Sequence, residues 1–215
     1  MSHPRRLPVV TPTRPGLMSG GRSALSRVDH RRPVGEDEPD VDMVAMRRET
    51  THPDGGPRFD YELDYFATLT AALTAQVIGD TPAGFRINFC VIDGSVAGPA
   101  INALIRPGGS DYMVIRTDGI GLADISITYE TEDGSLILNR SAGMCHFGSE
   151  CLARMRRGKF TGVADFCSTP TWSTAAPRWK ALNDAQGLGM GRADLDELRV
   201  EYDMYIPRVG RRLGA

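Results

Sequence analysis

The chain has 215 residues, a length that fits one domain with an extension or at most two small domains. Its formal net charge of −2 and its pI near 6.1 lack the basic surplus that nucleic-acid-binding domains carry. No apolar run approaches the ~20 residues of a membrane-spanning helix, and the early arginines precede no apolar signal segment. We therefore expect a cytoplasmic protein that binds neither nucleic acid nor membrane.

Residues 1–57 differ in composition from the rest of the chain. They contain eight of the 14 prolines, and paired arginines alternate with the acidic run GEDEPDVD. Without a persistent period of 2 or 3.6, the segment cannot bury enough apolar surface to offset its ordering entropy. We predict a disordered, dispensable arm over 1–57 and a β-barrel domain over 58–215; an arm that stabilises an oligomer is the alternative. Translation could also start at three later methionines, Met18, Met43 and Met46.

From Glu62 onward, apolar and polar residues alternate with the period of β-strands. The first strand is predicted in LDYFATLTAALTAQV, although its alanines keep a helix open. The second is GFRINFCVIDG, in which Asp93-Gly94 is expected to make a turn. INALI follows, and then DYMVIRT, which lies between Pro107-Gly108-Gly109 and Asp118-Gly119.

The C-terminal half continues the pattern. LADISITYE and SLILNRSAG form a hairpin around Asp133-Gly134, and ELRVEYDMYI is a last alternating strand. CLARMRRGKF suits a short helix or an irregular strand, and TPTWSTAAPRWKALNDAQGLGMG is expected to be loop with one helical turn at RWKALN. Short strands joined by tight turns predict an all-β fold, a closed antiparallel up-and-down β-barrel, with a sandwich as the alternative.

Cofactor and metal signatures are missing from the sequence. The four cysteines form no C-x-x-C pair, so we expect reduced thiols and no zinc site. Neither H-x-H nor H-E-x-x-H occurs, and GLGMGR does not open a helix after a strand as a dinucleotide-binding loop does. We therefore expect no metal and no cofactor. His146 is the one histidine of the predicted domain and a candidate general base.

Charged residues on the predicted strands supply the other candidates. Arg86 and Asn88 alternate with strongly apolar neighbours, and their parity ends at Cys90, a residue type that is often buried. If they point inward they require partners, because an unpaired buried charge is very costly. The available carboxylates are Asp111, Asp118 and Asp124. Such a network could bind a ligand or could only hold the barrel together, and both interpretations stay open.

The stretch RPGGSDYMVIRTDG separates these charges into two sets. Asp111 and Arg116 are five residues apart, so they have opposite parity on a strand and cannot both point inward. We predict that Asp111 lies at a rim, where a bulge turns it inward, and pairs with Arg86. Arg116 is expected to pair with Asp118 or Asp124.

Five short segments in this order resemble uncharacterised protein family 0311, a family of bacterial and fungal proteins. They are TPAGFR, DGSVAGPAI, RPGGSDYMVIRTDG, YETEDGSLI and WKALNDAQGLGMGR, and the resemblance runs from about Glu62 to Pro207. It implies a compact antiparallel β-barrel without implying one settled reaction. Ser126 and Ser168 stand where the family pattern leads us to expect arginines.

Three functions are compatible with these residues. The first is a small-molecule-binding barrel that acts without a cofactor as an isomerase, cyclase or lyase on an oxygenated apolar metabolite. Its candidate catalytic residues are Asp111, Arg86, Asp124 and His146, and its candidate ligand-binding residues are Asn88, Arg116, Tyr112 and Asp118. The others are a non-catalytic ligand carrier or accessory protein of a metabolic pathway, and a structural homo-oligomer.

Overall fold

The structure, a computed structural model, describes residues 59–212, and the side chains of 59–210. In this part of the chain there are nine β-strands, one short α-helix and one 3₁₀ helix. The arm predicted over 1–57 lies outside the described residues.

The strands account for most of the described residues. In chain order they are β1 Phe59–Thr81, β2 Gly84–Ala97, β3 Asn102–Ile105, β4 Ser110–Ile115, β5 Ile120–Thr131, β6 Leu136–His146, β7 Val163–Ser173, β8 Leu188–Asp194 and β9 Arg199–Arg212. The helix α1, Ser149–Met155, follows β6, and the 3₁₀ helix Pro177–Asp184 follows β7. The fold is therefore all-β, as the alternation predicted.

All strand pairings are antiparallel and form one sheet. β1 pairs with β9, β9 with β8, β8 with β7, β7 with β6, and β6 with β5. Both β3 and β4 pair with β5 on one side and with β2 on the other, and β2 pairs with β1. Each strand thus has a partner along both of its edges over part of its length.

β3 and β4 together fill the space of one strand between β2 and β5. β3 pairs with the end of β2, and β4 pairs with its beginning, so the two run in the same direction. Pro107-Gly108-Gly109 interrupts this strand and does not reverse the chain. The ladder continues on both sides of the interruption, because the Val91 N–H donates to the Gly109 carbonyl and the Arg106 N–H to the Thr128 carbonyl. As a result, Asp111 lies in the middle of the sheet, and the prediction of a rim position is wrong.

One face of the sheet is buried and the other is exposed. The alternation is clearest in β7, where even-numbered residues from Ala164 to Trp172 are buried and their odd-numbered neighbours are exposed. The same period orders β2, β5 and the start of β9. The buried face carries the hydrophobic core, whose largest members include Leu69, Ile87, Ile115, Tyr129 and Met204.

Two sequence-based expectations differ from the structure. Asp93-Gly94 does not turn the chain, because β2 continues to Ala97 and pairs with β1 across a register shift between Ala72 and Leu73. The stretch from Thr169 to Gly191, expected to be loop, contains the end of β7 and most of β8. The helical turn predicted at RWKALN is confirmed as part of the 3₁₀ helix.

The short helix α1 resolves the alternative left by CLARMRRGKF. It buries Cys151, Leu152 and Met155, and Arg156 just beyond it donates two hydrogen bonds to Asp80 at the β1–β2 turn. Within the described residues, no helix has both the length and the apolar character needed to span a bilayer.

Candidate functional site

The buried face of the sheet borders a cavity of about 60 Å³. One water needs about 10–15 Å³ of such space, so the cavity has room for several waters or for one small ligand. Its wall is formed mainly by aliphatic and aromatic side chains from seven strands. The polar side chains in the wall are Asp111, Cys145 and Tyr202, together with Asp194 and Arg199 where β8 turns into β9.

Asp111 reaches the cavity through ordinary strand alternation. It shares its parity on β4 with the buried residues Met113 and Ile115, and its register partners are Phe89 on β2 and Ile125 on β5. These four neighbours are all buried. The Asp124 backbone N–H donates to Asp111 Oδ1 at 2.9 Å, which fixes the carboxyl group against β5.

The apolar surroundings change the proton affinity of this carboxyl group. Burial raises the pKa of Asp111 from 3.8 to about 7, because the charged form loses its hydration. The hydrogen bond from the Asp124 backbone acts in the opposite direction, and the nearby Asp124 carboxylate adds to the increase. Asp111 therefore populates both protonation states near neutral pH.

Cys145 and Tyr202 stay protonated in the same environment. Burial, followed by the negative charge of Asp111, raises the pKa of the Cys145 thiol and of the Tyr202 hydroxyl far above neutrality. Both groups are then neutral hydrogen-bond donors facing an acid–base carboxyl group. The Tyr202 hydroxyl is buried and has no hydrogen-bond partner among the described residues.

This arrangement can transfer protons and can stabilise a developing oxyanion. A carboxyl group with a pKa near the working pH is an effective general acid or base, and an uncharged hydroxyl donor can stabilise charge that forms on a ligand oxygen. Within the described residues, no three His, Cys, Asp or Glu side chains lie close enough together to hold a metal ion.

Arg86 and Asn88 lie on the opposite side of β2 from the cavity. Phe85, Ile87 and Phe89 take the buried parity, and Arg86 is in register with Val114, not with Asp111. The predicted pair between Arg86 and Asp111 is therefore wrong: no ion pair joins these two described residues. The strongly apolar strand indicated that one of its faces is buried, but not that its polar parity is buried as well.

Three more predicted residues also point away from the cavity. The side chains of Asp124 and Tyr112 are exposed, and so is His146 at the end of β6. Only the backbone of Asp124 contributes to the site, through its hydrogen bond to Asp111. The structure thus brings one predicted catalytic residue, Asp111, into the cavity wall.

The second predicted charged set is confirmed. The Arg116 guanidinium donates to the Asp118 carboxylate, and both side chains are about half exposed. Asp118 also accepts from the Ile120 N–H, so it caps the turn that contains Gly119, whose φ is 84°. This pair shapes the β4–β5 turn outside the cavity.

Two residues of the site were missed from the sequence. Cys145 lies on the buried parity of β6 with Ile137, and Tyr202 on that of β9 with Met204. Their parity was readable, but nothing in the sequence showed which buried positions of distant strands face Asp111. That information resides in the register between strands.

The sheet and its cavity define an all-β protein of β-barrel-like architecture. The family model described as protein of unknown function (DUF3237) matches residues 61–206, and the chain belongs to this family. The resemblance to uncharacterised protein family 0311 is confirmed by its curated relatives. A member from Rhodopseudomonas palustris is 26% identical over 147 residues, which cover 67% of this chain and 95% of the relative.

Solved structures show the same fold. The conserved protein of unknown function from Rhodopseudomonas palustris aligns with a TM-score of 0.61 at 22% identity, covering 71% of this chain and 99% of the other. A β-barrel-like protein from Acinetobacter baumannii aligns with a TM-score of 0.58 at 24% identity, covering 69% of this chain and 97% of the other. At these identities the likeness concerns the fold alone.

Proposed function

We propose that the sheet closes into a barrel whose interior binds a small, uncharged, oxygenated apolar molecule. The pairings that lead from β1 through β9 to β5, and back through β2 to β1, support closure. The apolar wall of the cavity supports an apolar ligand, which gains free energy when it leaves water. Asp111 supports an uncharged one, because its carboxylate would repel an anion.

We further propose that the protein is a cofactor-independent isomerase, cyclase or lyase with Asp111 as its acid–base residue. The single observation that carries this proposal is a carboxyl group with a pKa of about 7 in the wall of an apolar cavity. Perturbed carboxyl groups of this kind are typical of sites that move protons. Tyr202 would donate a hydrogen bond to the oxygen on which charge develops.

The same observation separates this function from its alternatives. A structural homo-oligomer is expected to have a sealed, wholly apolar interior, and a carrier has no need of a carboxyl group that is half protonated at neutral pH. In this chain the wall contains Asp111 and the unpartnered Tyr202 hydroxyl. These groups favour proton transfer over either alternative.

Proton exchange on an enolisable ketone tests the proposal. We expect the full chain to accelerate the exchange of the α-protons of 2-indanone in D₂O at pH 7, measured by ¹H NMR. Asp111→Asn should lower the exchange rate by about 10²–10⁴-fold, the usual contribution of a general acid–base group. Asp118→Asn is the matched control, because that carboxylate lies outside the cavity, and it should leave the rate unchanged.

Two results would contradict the proposal in different ways. If 2-indanone binds to the wild type without any acceleration of exchange, the carrier alternative is favoured. Equal acceleration by the wild type and Asp111→Asn would assign proton transfer to another group.

A further inference from the structure

Seven buried side-chain atoms have no hydrogen-bond partner among the described residues, including the indole N–H groups of Trp172 and Trp179. Four of the others lie on the buried face of the sheet: Asn139 Oδ1, Ser141 Oγ and Ser168 Oγ, together with the Tyr202 hydroxyl, and each of these residues is at most 4% exposed. Buried polar groups in native proteins are nearly always hydrogen-bonded, because each one left unpaired is costly. Four in one region therefore indicate a partner that is not part of this chain.

The strand register places these groups next to the Asp111 cavity. Ser141 pairs with Ile125 on β5, and Asn139 pairs with Ile127, and both isoleucines line the cavity. Ser168 follows the cavity-lining Phe166 by two residues on β7, which puts both on the buried parity. Tyr202 is itself part of the cavity wall. Of the four residues, Tyr202 lines the cavity, and the other three lie beside residues that line it.

Two glycines keep side chains away from Ser168. Its register partners are Gly143 on β6 and Gly189 on β8. A Cβ atom at Gly189 would lie 2.5 Å from Ser168 Oγ and 3.1 Å from the Tyr202 ring, and one at Gly143 would lie 2.9 Å from the Ser168 Cβ. A larger residue at either position would crowd the Ser168 side chain, so the two glycines leave it the room that it occupies.

The groups around this region are hydroxyls and an amide, without a counter-charge for an anion. No Lys or Arg side chain of the described residues is buried, and Arg199, which lines the cavity where β8 turns into β9, is exposed. A carboxylate or phosphate would therefore be desolvated here without a cation. A hydroxyl or carbonyl oxygen would need only the hydrogen bonds that these side chains offer.

We infer that Asn139, Ser141, Ser168 and Tyr202 form an uncharged polar subsite that binds a hydroxyl or carbonyl oxygen of the ligand in the Asp111 cavity. The inference rests on the proposed function, since both concern one interior. It adds the ligand class: a neutral molecule with an apolar centre and two oxygen atoms, one bound by Asp111 and the other by the Ser141 and Ser168 hydroxyls.

Binding of three small probes to the full chain tests this subsite. Dissociation constants are measured by NMR titration for 4-hydroxybenzyl alcohol, which has an oxygen at each end, for p-cresol, which has one, and for the anion 4-hydroxybenzoate. We expect the wild type to bind 4-hydroxybenzyl alcohol about two- to tenfold more tightly than p-cresol, because one additional hydrogen bond increases affinity by about this factor. The anion 4-hydroxybenzoate should bind most weakly.

Substitutions then test which side chains cause the preference for 4-hydroxybenzyl alcohol over p-cresol. Ser168→Ala, or Ser141→Ala if the first variant fails to fold, should abolish the preference for the two-oxygen probe and leave p-cresol binding within about twofold. Thr169→Ala is the matched control, because this neighbour on β7 points outward and donates to the Ala142 carbonyl. It should preserve the preference.

The outcomes distinguish the subsite from the proposed function. A wild type without a preference between the two neutral probes, or an unchanged preference in both serine variants, would show that the groups hold ordered water only and would overturn the inference. Proton exchange on 2-indanone that depends on Asp111 could still be observed in that case. Conversely, serine-dependent selectivity without any proton exchange would support the subsite and contradict catalysis.

Discussion

The protonation of Asp111 links the candidate site to the stability of the protein. Its pKa is about 7 in the folded state and near 3.8 in the unfolded chain. Between these values the folded state retains a proton that the unfolded chain has lost, so the free energy of unfolding falls as the pH rises from 4 to 7. The loss is at most about 4 kcal/mol, from a shift of about 3 pKa units at 1.36 kcal/mol each.

We predict that Asp111→Asn removes this part of the pH dependence. Asparagine resembles the protonated carboxyl group, and its Oδ1 can still accept the Asp124 N–H. The variant should therefore gain stability relative to the wild type between pH 5 and pH 8, measured by urea denaturation. Asp133, whose pKa is lowered to about 2 mainly by the Thr131 hydroxyl, changes its charge below this window. Wild-type and variant curves that run parallel from pH 5 to pH 8 would contradict the assignment.

At the scale of single residues, the sequence predicted the key carboxyl group but not its neighbours. Asp111 stood out because it follows a glycine pair in a short apolar strand. Its predicted partner Arg86 was wrong, because the polar parity of β2, which ends at Cys90, was expected to be buried as well. Cys145 and Tyr202 join Asp111 only through strand register and sheet curvature. Neither property is encoded in the local alternation.

The sequence of its turn directly determines the hairpin between β5 and β6. Gly134 has a φ of 76°, and its N–H donates to the Thr131 carbonyl at 2.8 Å. Asp133 accepts from the Thr131 hydroxyl and from the Ser135 N–H, which holds the turn together. The prediction of a hairpin around Asp133-Gly134 is confirmed.

We predict that Gly134→Val destabilises the protein by about 1–3 kcal/mol, measured by chemical denaturation. A Cβ atom at this position would meet nothing within 4 Å, so the cost arises from the backbone conformation and not from a clash. Gly134→Asn is the matched control and should cost less, because asparagine tolerates positive φ. Equal denaturation midpoints for the glycine and valine proteins would refute this account of the turn.

At the scale of strands, alternation predicted seven strands and missed two: β7, although it alternates regularly and contains no glycine, and β8, where glycines take the place of apolar residues. GLGMG was interpreted as loop because glycine weakens strands. In the structure it opens β8, where Gly189 and Gly191 face Tyr202 at distances too short for any side chain. The Tyr202 side chain on the neighbouring strand β9 covers the positions where apolar side chains of β8 would otherwise lie. That compensation is invisible in the sequence of β8 alone.

For the whole molecule, we predict that the described sheet folds without the N-terminal arm. A truncated variant that begins at Pro57 should melt within a few degrees of the full chain, because residues 1–56 lack apolar periodicity. Differential scanning calorimetry of both proteins, with gel filtration as a second measurement, provides the comparison. A clearly lower melting temperature, or the loss of an oligomer on truncation, would instead assign a structural role to the arm.

The overall architecture was predictable because almost every strand is followed by its own neighbour in the sheet. The interruption at Pro107-Gly108-Gly109 was not, since a proline followed by glycines usually marks a reversal. Only the pairing of both β3 and β4 with β2 and β5 shows that the chain continues in one direction there.

The position of β9 has a consequence for how the protein is made. Because β9 lies between β1 and β8, residues such as Leu69 and Tyr202 become neighbours only when the last strand has left the ribosome. Until then, the nascent chain presents two unpaired strand edges with apolar side chains, which are prone to join other chains. Such distant contacts also slow folding, because a long loop must close before they form. The contacts between β9 and β1 therefore form only after every other described strand has been synthesised.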